Sequence, residues 1–159
     1  MYERILVPLD GSKLGESALS YIEELVSKLK PEPKVEVTLL QVVSSLTHYI
    51  IAGEAGVQVP YTDQEMEQIK EKALEYLDKC GEGLRKRGAI VKARVSVGGD
   101  HADEINNVAN EIDADLVAMS THGRSGLSRW AFGSVADKVL RGGNKPVLMV
   151  RVSGEEEKK

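Results

Sequence analysis

The sequence has little cysteine: Cys80 is alone among 159 residues. A single thiol excludes an intrachain disulfide, and it excludes a zinc or iron–sulfur centre built from several thiolates. This cysteine content fits a protein of a reducing compartment such as the cytoplasm. Because Cys80 falls on the apolar stripe of a predicted helix, we expect it to pack in the core rather than to react.

Long apolar runs and an excess of positive charge are also missing. No apolar stretch approaches the roughly 18 residues that a membrane-spanning helix needs. The first residues, MYERILVPLDGS, lack the pattern of a secretory signal. The formal net charge is -4, whereas a nucleic-acid-binding domain of this size usually carries a basic excess. We therefore expect neither a membrane nor a nucleic acid among the partners.

The side chains that usually carry metal or acid–base chemistry are scattered. His48, His101 and His122 lack the H-x-H or H-E-x-x-H spacing of zinc sites. No nucleophile stands beside a recognisable base in the sequence, so we assign no catalytic residue and no protein-built metal site.

The sequence does contain an alternation of short β-branched runs and amphipathic helical segments. The predicted strands are residues 4–9, 34–43, 89–97, 114–120 and 146–152. The predicted helices are residues 14–29, 62–87, 100–112 and 134–141. Short, almost continuously apolar strands separated by helices indicate a parallel sheet that is buried on both faces. Right-handed crossovers make this an open, doubly wound, five-stranded α/β sheet with helices on both faces, a Rossmann-like fold.

Local signals refine this architecture. The run 89–97 alternates polar and apolar residues, which predicts an edge strand. Thr62 and Glu65 have the spacing of a capping box, and Asp100 and Ser134 are candidate N-caps.

Two segments fall outside the strand–helix alternation. The connection 44–61 is long, so we expect a functional or mobile loop with a short helix near LTHYII. We expect a single domain over residues 1–153, followed by a polar tail at 154–159.

Two strand ends carry the candidate ligand site. In an open α/β sheet, ligands bind beyond the carboxyl ends of the strands, where the strand order reverses. Asp10-Gly11-Ser12 follows the first strand, and Asp10 can accept hydrogen bonds from a ribose or take part in a metal site. Asp-Gly-Ser is, however, more typical of a turn and helix N-cap. The fourth strand leads into MSTHGRSGLSRWAFGSV, residues 119–135, in which Gly133-Ser134 stands at a helix start. Free N–H groups there favour a phosphate, and the alternative is a flexible glycine loop with an ordinary serine cap.

The segments ILVPLDGS and MSTHGRSGLSRWAFGSVADKVLRGGNKPVLMV together resemble the nucleotide-binding branch of the universal stress protein family. That branch carries a glycine, two residues, a second glycine, nine residues, and then glycine followed by Ser or Thr. Gly123 corresponds to the second glycine, and Gly133-Ser134 corresponds to the final pair. Ser120 replaces the first glycine, where its Cβ can weaken ligand binding or its hydroxyl can donate a hydrogen bond.

The resemblance implies a cytoplasmic regulatory or stress-response protein that binds ATP, or AMP, with Mg²⁺ on the phosphates. The residues that it places around the nucleotide are Pro8, Leu9, Asp10, Val42, Met119, Ser120, Gly123, Arg124, Gly133, Ser134 and Val135. Asp10 would lie near the ribose, and Val42 would contact adenine through its backbone. The family also implies a homodimer formed through the last strand, 146–152. The alternatives are an interaction module with a vestigial nucleotide site and a slow ATPase.

Overall fold

A computed structural model describes residues 2–29, 34–44, 47–52, 55–122 and 133–152. The elements in chain order are β1 (Arg4–Pro8), α1 (Lys13–Lys28), β2 (Glu36–Val43), β3 (Thr47–Ala52), β4 (Ala55–Pro60), α2 (Asp63–Cys80), α3 (Glu82–Lys86), β5 (Ile90–Val97), α4 (His101–Glu111), β6 (Leu116–His122), α5 (Ser134–Gly142) and β7 (Val147–Val152).

The described ranges contain one five-stranded sheet with the strand order β5-β2-β1-β6-β7. Every pairing within it is parallel, and helices connect its strands. The predicted α/β fold is confirmed, and so is the edge position of β5. The strand order reverses at β1, because the chain passes first to β2 on one side and later to β6 on the other.

Alternate residues of the strands build two separate cores. Ile5 and Val7 pack with the helices α1, α2 and α3 on one face of the sheet. Leu6 and Val117 pack with α4 and α5 on the other face. Both faces of the central strands are apolar because helices cover each face, which explains why the sequences of these strands are almost continuously hydrophobic. Full burial of one such side chain contributes about 1.5–3 kcal/mol.

Helix starts follow the sequence signals at two of the three predicted caps. The Thr62–Glu65 capping box is formed at the start of α2, and the Asp100 side chain accepts from the N–H of Ala102 at the start of α4. The prediction that Ser134 is the N-cap of α5 is wrong. Gly133 is the N-cap, because its carbonyl accepts the first helical bond, from the Asp137 N–H at 2.9 Å.

The long helix predicted over 62–87 is two helices, α2 and α3, which meet at Gly81. A Cβ at position 81 would lie 2.7 Å from Cγ1 of Val91 on β5, so the helix backbone approaches the sheet closely at this residue. Cys80, the last residue of α2, is half-buried against the core, and burial raises the pKa of its thiol. This agrees with the expected packing role.

The segment between β2 and α2 forms an antiparallel β-hairpin, so the predicted irregular loop with a short helix is wrong. In this hairpin β3 pairs with β4, from Thr47 opposite Pro60 to Ala52 opposite Ala55. Ile50 and Val57 stand directly opposite each other, and such β-branched cross-strand pairs stabilise a strand rather than a helix.

Candidate functional site

A cavity of about 350 Å³ opens at the carboxyl ends of β1, β2 and β6. The ladder between β1 and β6 pairs Ile5 with Leu116 and Leu6 with Val117, and so stops short of the residues that line the cavity. The cavity therefore lies where the strand order reverses, which is the usual ligand position in open α/β sheets. Its volume falls in the ordinary range for small-molecule sites.

The walls bring together most of the residues that the sequence singled out. The predicted residues that line the cavity are Pro8, Leu9, Asp10, Val42, Met119, Ser120, Gly133, Ser134 and Val135. Gly123 and Arg124 lie outside the described residues, and His122, expected in the loop, is the last residue of β6. That these residues contact a ligand stays a prediction.

Sequence reasoning missed a second set of lining residues. These are Leu14, Gly15, Leu40, Gln41, His101, Ile105, Thr121 and Ala136. A signal was present for some of them, since Thr121 and Ala136 adjoin predicted site residues and His101 follows the third strand of the main sheet. No sequence signal pointed to Gly15, because this residue reaches the wall of the cavity only through the packing of α1 on β6.

The Asp10-Gly11-Ser12 turn fixes a carboxylate at the mouth of the cavity. Oδ1 of Asp10 accepts from the Ser12 N–H at 2.9 Å and from the Ser12 hydroxyl at 2.6 Å. The Ser12 hydroxyl in turn accepts from the Gly15 N–H at 3.0 Å and caps α1. Gly11 has φ +86°, a conformation that favours glycine in this turn. The turn-and-cap interpretation is therefore correct, and the Asp10 side chain still lines the cavity.

Ser120 connects β6 to α1 in the wall of the cavity. Its hydroxyl donates to the Gly15 carbonyl at 3.1 Å. Gly15 is tightly placed, because a Cβ at position 15 would lie 2.7 Å from Oδ1 of Asp10. The sequence left open whether the Cβ of Ser120 weakens ligand binding or its hydroxyl donates a hydrogen bond. In the structure the hydroxyl donates a hydrogen bond, and the acceptor is the Gly15 carbonyl of the protein itself.

The opposite wall is the N-terminus of α5. The N–H groups of the first helical turn, at Ser134, Val135 and Ala136, have no acceptor within a helix, and the helix dipole makes this end positive. All three residues line the cavity. Gly133 precedes them and is exposed. A Cβ built there meets no atom of the described residues within 4 Å, its chain neighbours aside.

The floor of the cavity is apolar. Leu9, Leu40, Val42 and Met119 are each at least nine-tenths buried, and Ile105 of α4 closes one side. An apolar floor beside a positive helix end suits a ligand with a flat ring system and an anionic group.

Two polar contacts join elements near the rim. Lys138 of α5 pairs with Asp100, the N-cap of α4, at 3.1 Å, and this hydrogen bond lowers the pKa of the Asp100 carboxyl. Ser44, after β2, lies 3.4 Å from Nε2 of His101. These contacts join the start of α4 to α5 and to the residue after β2, next to His101, which lines the cavity.

Two kinds of feature are absent from the part of the chain that the structure describes. No group of three or more His, Cys, Asp or Glu side chains is arranged to hold a metal ion there. In those same ranges, no helix has the length and apolar character to cross a membrane.

Comparison with known proteins identifies the family. The Universal stress protein family matches residues 1–151. Universal stress protein MJ0577 of Methanocaldococcus jannaschii is 31% identical over 160 residues, which cover 95% of this chain and 96% of the relative. The solved structure of MJ0577 superposes with a TM-score of 0.71 at 26% identity, covering 97% of this chain and 99% of that one.

A second solved structure has the same fold. It is the universal stress protein from Archaeoglobus fulgidus in complex with dAMP, with a TM-score of 0.62 at 24% identity, covering 94% of this chain and 98% of that one. The family match spans almost the whole sequence, and the predicted resemblance is confirmed. This chain belongs to the universal stress protein family.

Proposed function

We propose that this protein binds an adenine nucleotide, ATP or AMP, beyond the carboxyl ends of β1, β2 and β6. In this proposal it acts in the cytoplasm as a regulatory or stress-response module. The observation that carries the proposal is the cavity at the switch point, which combines an apolar floor with the open N-terminus of α5. The dAMP bound by the Archaeoglobus fulgidus family member supports the same ligand class.

The walls suggest how the nucleotide is oriented. The base fits the apolar floor, where the Val42 backbone at the end of β2 can bond to the adenine edge. The Asp10 carboxylate, fixed by Ser12, can accept from ribose hydroxyls. The phosphates fit the N-terminus of α5, where the N–H groups of Ser134 and Val135 and the Ser134 hydroxyl are donors. Mg²⁺ would bind to phosphate oxygens and water.

The proposal is tested by placing a charge at Gly133. Aspartate and asparagine have nearly the same shape and are both good N-caps. Within the described residues, a Cβ at position 133 meets no atom within 4 Å beyond its chain neighbours. We therefore expect Gly133→Asp and Gly133→Asn to keep the thermal stability of the wild type. The carboxylate of the first variant would repel a phosphate about 5 Å away. At an effective dielectric constant of about 20, this repulsion weakens binding by on the order of 100-fold.

Isothermal titration with ATP measures the difference between the two variants. Gly133→Asn controls for the added side chain, and adenosine controls for the phosphates, since its affinity should not depend on the charge. Equal ATP affinities for the two variants would show that no phosphate lies at this helix end.

A second candidate function is an interaction module whose nucleotide site is vestigial. The observation that favours it is the β3–β4 hairpin, on which Ile51 is 82% exposed. Mass spectrometry of the small molecules released from freshly purified protein separates the two candidates. Bound adenine nucleotide supports the first, and a protein that is empty and also fails to bind added ATP supports the second.

We also propose a homodimer formed through β7. This strand is at the outer end of the sheet, and Leu148 on it is 37% exposed. An exposed parallel edge strand is normally covered, and a second copy would do so symmetrically. Light scattering during size-exclusion chromatography should give a dimer mass for the wild type and a monomer mass for Leu148→Glu.

A further inference from the structure

One buried hydroxyl among the residues that line the cavity has no partner in the described part of the chain. Thr121, on β6, is 5% exposed and lines the cavity. Its Oγ1 is buried and makes no hydrogen bond within the described part of the chain. Buried hydroxyl groups are nearly always paired, so an unpaired one needs a physical reason.

The position of Thr121 along β6 gives the direction of its side chain. Side chains alternate between the two faces of a strand. Val117 and Met119 pack in the core formed with α4 and α5, and Thr121 follows them at the same two-residue spacing. Ser120 points to the opposite face, where it bonds to α1. The Thr121 hydroxyl is therefore on the α5 side, together with Gly133, Ser134, Val135 and Ala136, which line the same cavity.

We propose that Thr121 is a further ligand-binding residue, whose hydroxyl donates a hydrogen bond to the anionic group held at the N-terminus of α5. The backbone of the first turn of α5 offers only N–H donors at this end. A hydroxyl on the same side of a cavity as several N–H groups is satisfied when an acceptor lies between them, and the oxygens of a phosphate or carboxylate are such acceptors. The inference rests on the proposed function, because it adds a contact to the proposed phosphate site.

Two substitutions at Thr121 separate the effect of the hydroxyl on ligand binding from the effect of side-chain packing. Thr121→Val keeps the shape and removes the hydroxyl, and Thr121→Ser keeps the hydroxyl and removes a methyl group. Without nucleotide, Thr121→Val should melt at or above the wild-type temperature, because it removes an unpaired buried polar group. Its ATP affinity should fall roughly 10- to 100-fold, as expected for one lost hydrogen bond to a charged group. Thr121→Ser should stay within about threefold of the wild type.

Adenosine is the matched ligand, because it carries the base and ribose without an anion. Its affinity should be the same for the wild type and Thr121→Val. If Thr121→Val binds ATP as tightly as the wild type, the inference is wrong while the proposed function stands. If Thr121→Val loses adenosine and ATP affinity equally, Thr121 acts by shaping the pocket, and the inference is again wrong.

A wild-type protein that binds no nucleotide would instead refute the proposed function. Titration with pyrophosphate then decides the role of Thr121 by itself. Binding by the wild type that weakens in Thr121→Val supports the anion contact, and a wild type that binds no pyrophosphate overturns it.

Discussion

Restoring the glycine that the family carries at position 120 should destabilise this protein. The Ser120 hydroxyl donates to the Gly15 carbonyl at 3.1 Å and so joins β6 to α1. A net contribution of about 0.5–1.5 kcal/mol is typical of such a bond. The lower half of this range applies here. The Gly15 carbonyl can also accept a hydrogen bond within α1, so it is not left unpaired when the Ser120 hydroxyl is removed. Glycine in a strand costs about another 0.5–1 kcal/mol in backbone entropy.

Ser120→Ala and Ser120→Gly divide these two effects. We expect Ser120→Ala to lower the free energy of unfolding by about 0.5–1 kcal/mol, which is the hydrogen bond alone. Ser120→Gly should lower it by about 1–2 kcal/mol, because the backbone entropy is added. In a chain of this length, 1 kcal/mol corresponds to about 2–4 °C in the melting temperature.

Urea titrations followed by circular dichroism, without nucleotide, measure both variants. The reasoning is refuted if Ser120→Ala unfolds at the wild-type urea concentration, since the bond to Gly15 would then contribute nothing. ATP titrations provide an independent check. Because the hydroxyl is directed to Gly15 rather than to the ligand, the ATP affinity of Ser120→Ala should stay within about threefold of the wild type.

Two further predictions concern the helices that cover the sheet. Leu84→Ala should cost about 2–5 kcal/mol in urea unfolding, because the side chain of Leu84 is fully buried; Leu74→Ala, at a site 41% exposed, is the matched control and should cost clearly less. The backbone N–H and hydroxyl of Thr62 lower the pKa of the Glu65 carboxyl below its usual 4.5. That stabilisation is complete above the unfolded-state pKa and is lost as pH falls through the lower folded-state pKa. Glu65→Gln has no carboxyl to titrate at this position. Its melting temperature should therefore fall less than that of the wild type between about pH 6 and pH 3, and an equal fall would contradict this assignment.

The sheet could be predicted because most of its strands repeat the same signal, a short and almost continuously apolar run. Runs such as Ile5–Val7 are apolar at consecutive positions, which is what burial on both faces requires. The edge position of β5 could be predicted as well, since Lys92 and Arg94 alternate with apolar residues along it. In the structure these two side chains form ion pairs with Glu36 and Glu111.

The errors occur where local sequence signals are ambiguous. Ile50 and Ile51 are adjacent apolar residues, and a short run of this kind fits a strand or a helix equally well until its pairing partner is known. Serine and glycine are both acceptable N-caps, so the Gly133-Ser134 pair leaves the first residue of α5 open by one position.

The sequence predicted where the candidate site lies, but it did not predict all of the side chains that give the site its chemistry. The strand ends located the site, and the resemblance to the family implied nine of its lining residues. Thr121 was passed over because its importance depends on which face of β6 it occupies and on the absence of a partner for its hydroxyl among the described residues. Neither property has a signature in residue spacing.

The contact between Ser120 and Gly15 also has a consequence for folding kinetics. These residues are 105 positions apart in the chain, so the wall that they form appears only after β1 and β6 have met. Closing so long a loop is entropically costly, and such distant contacts tend to form late in folding. A ligand that needs this wall can stabilise the completed fold but not the states that precede it. Nucleotide should therefore slow the unfolding of the protein and leave its folding rate unchanged.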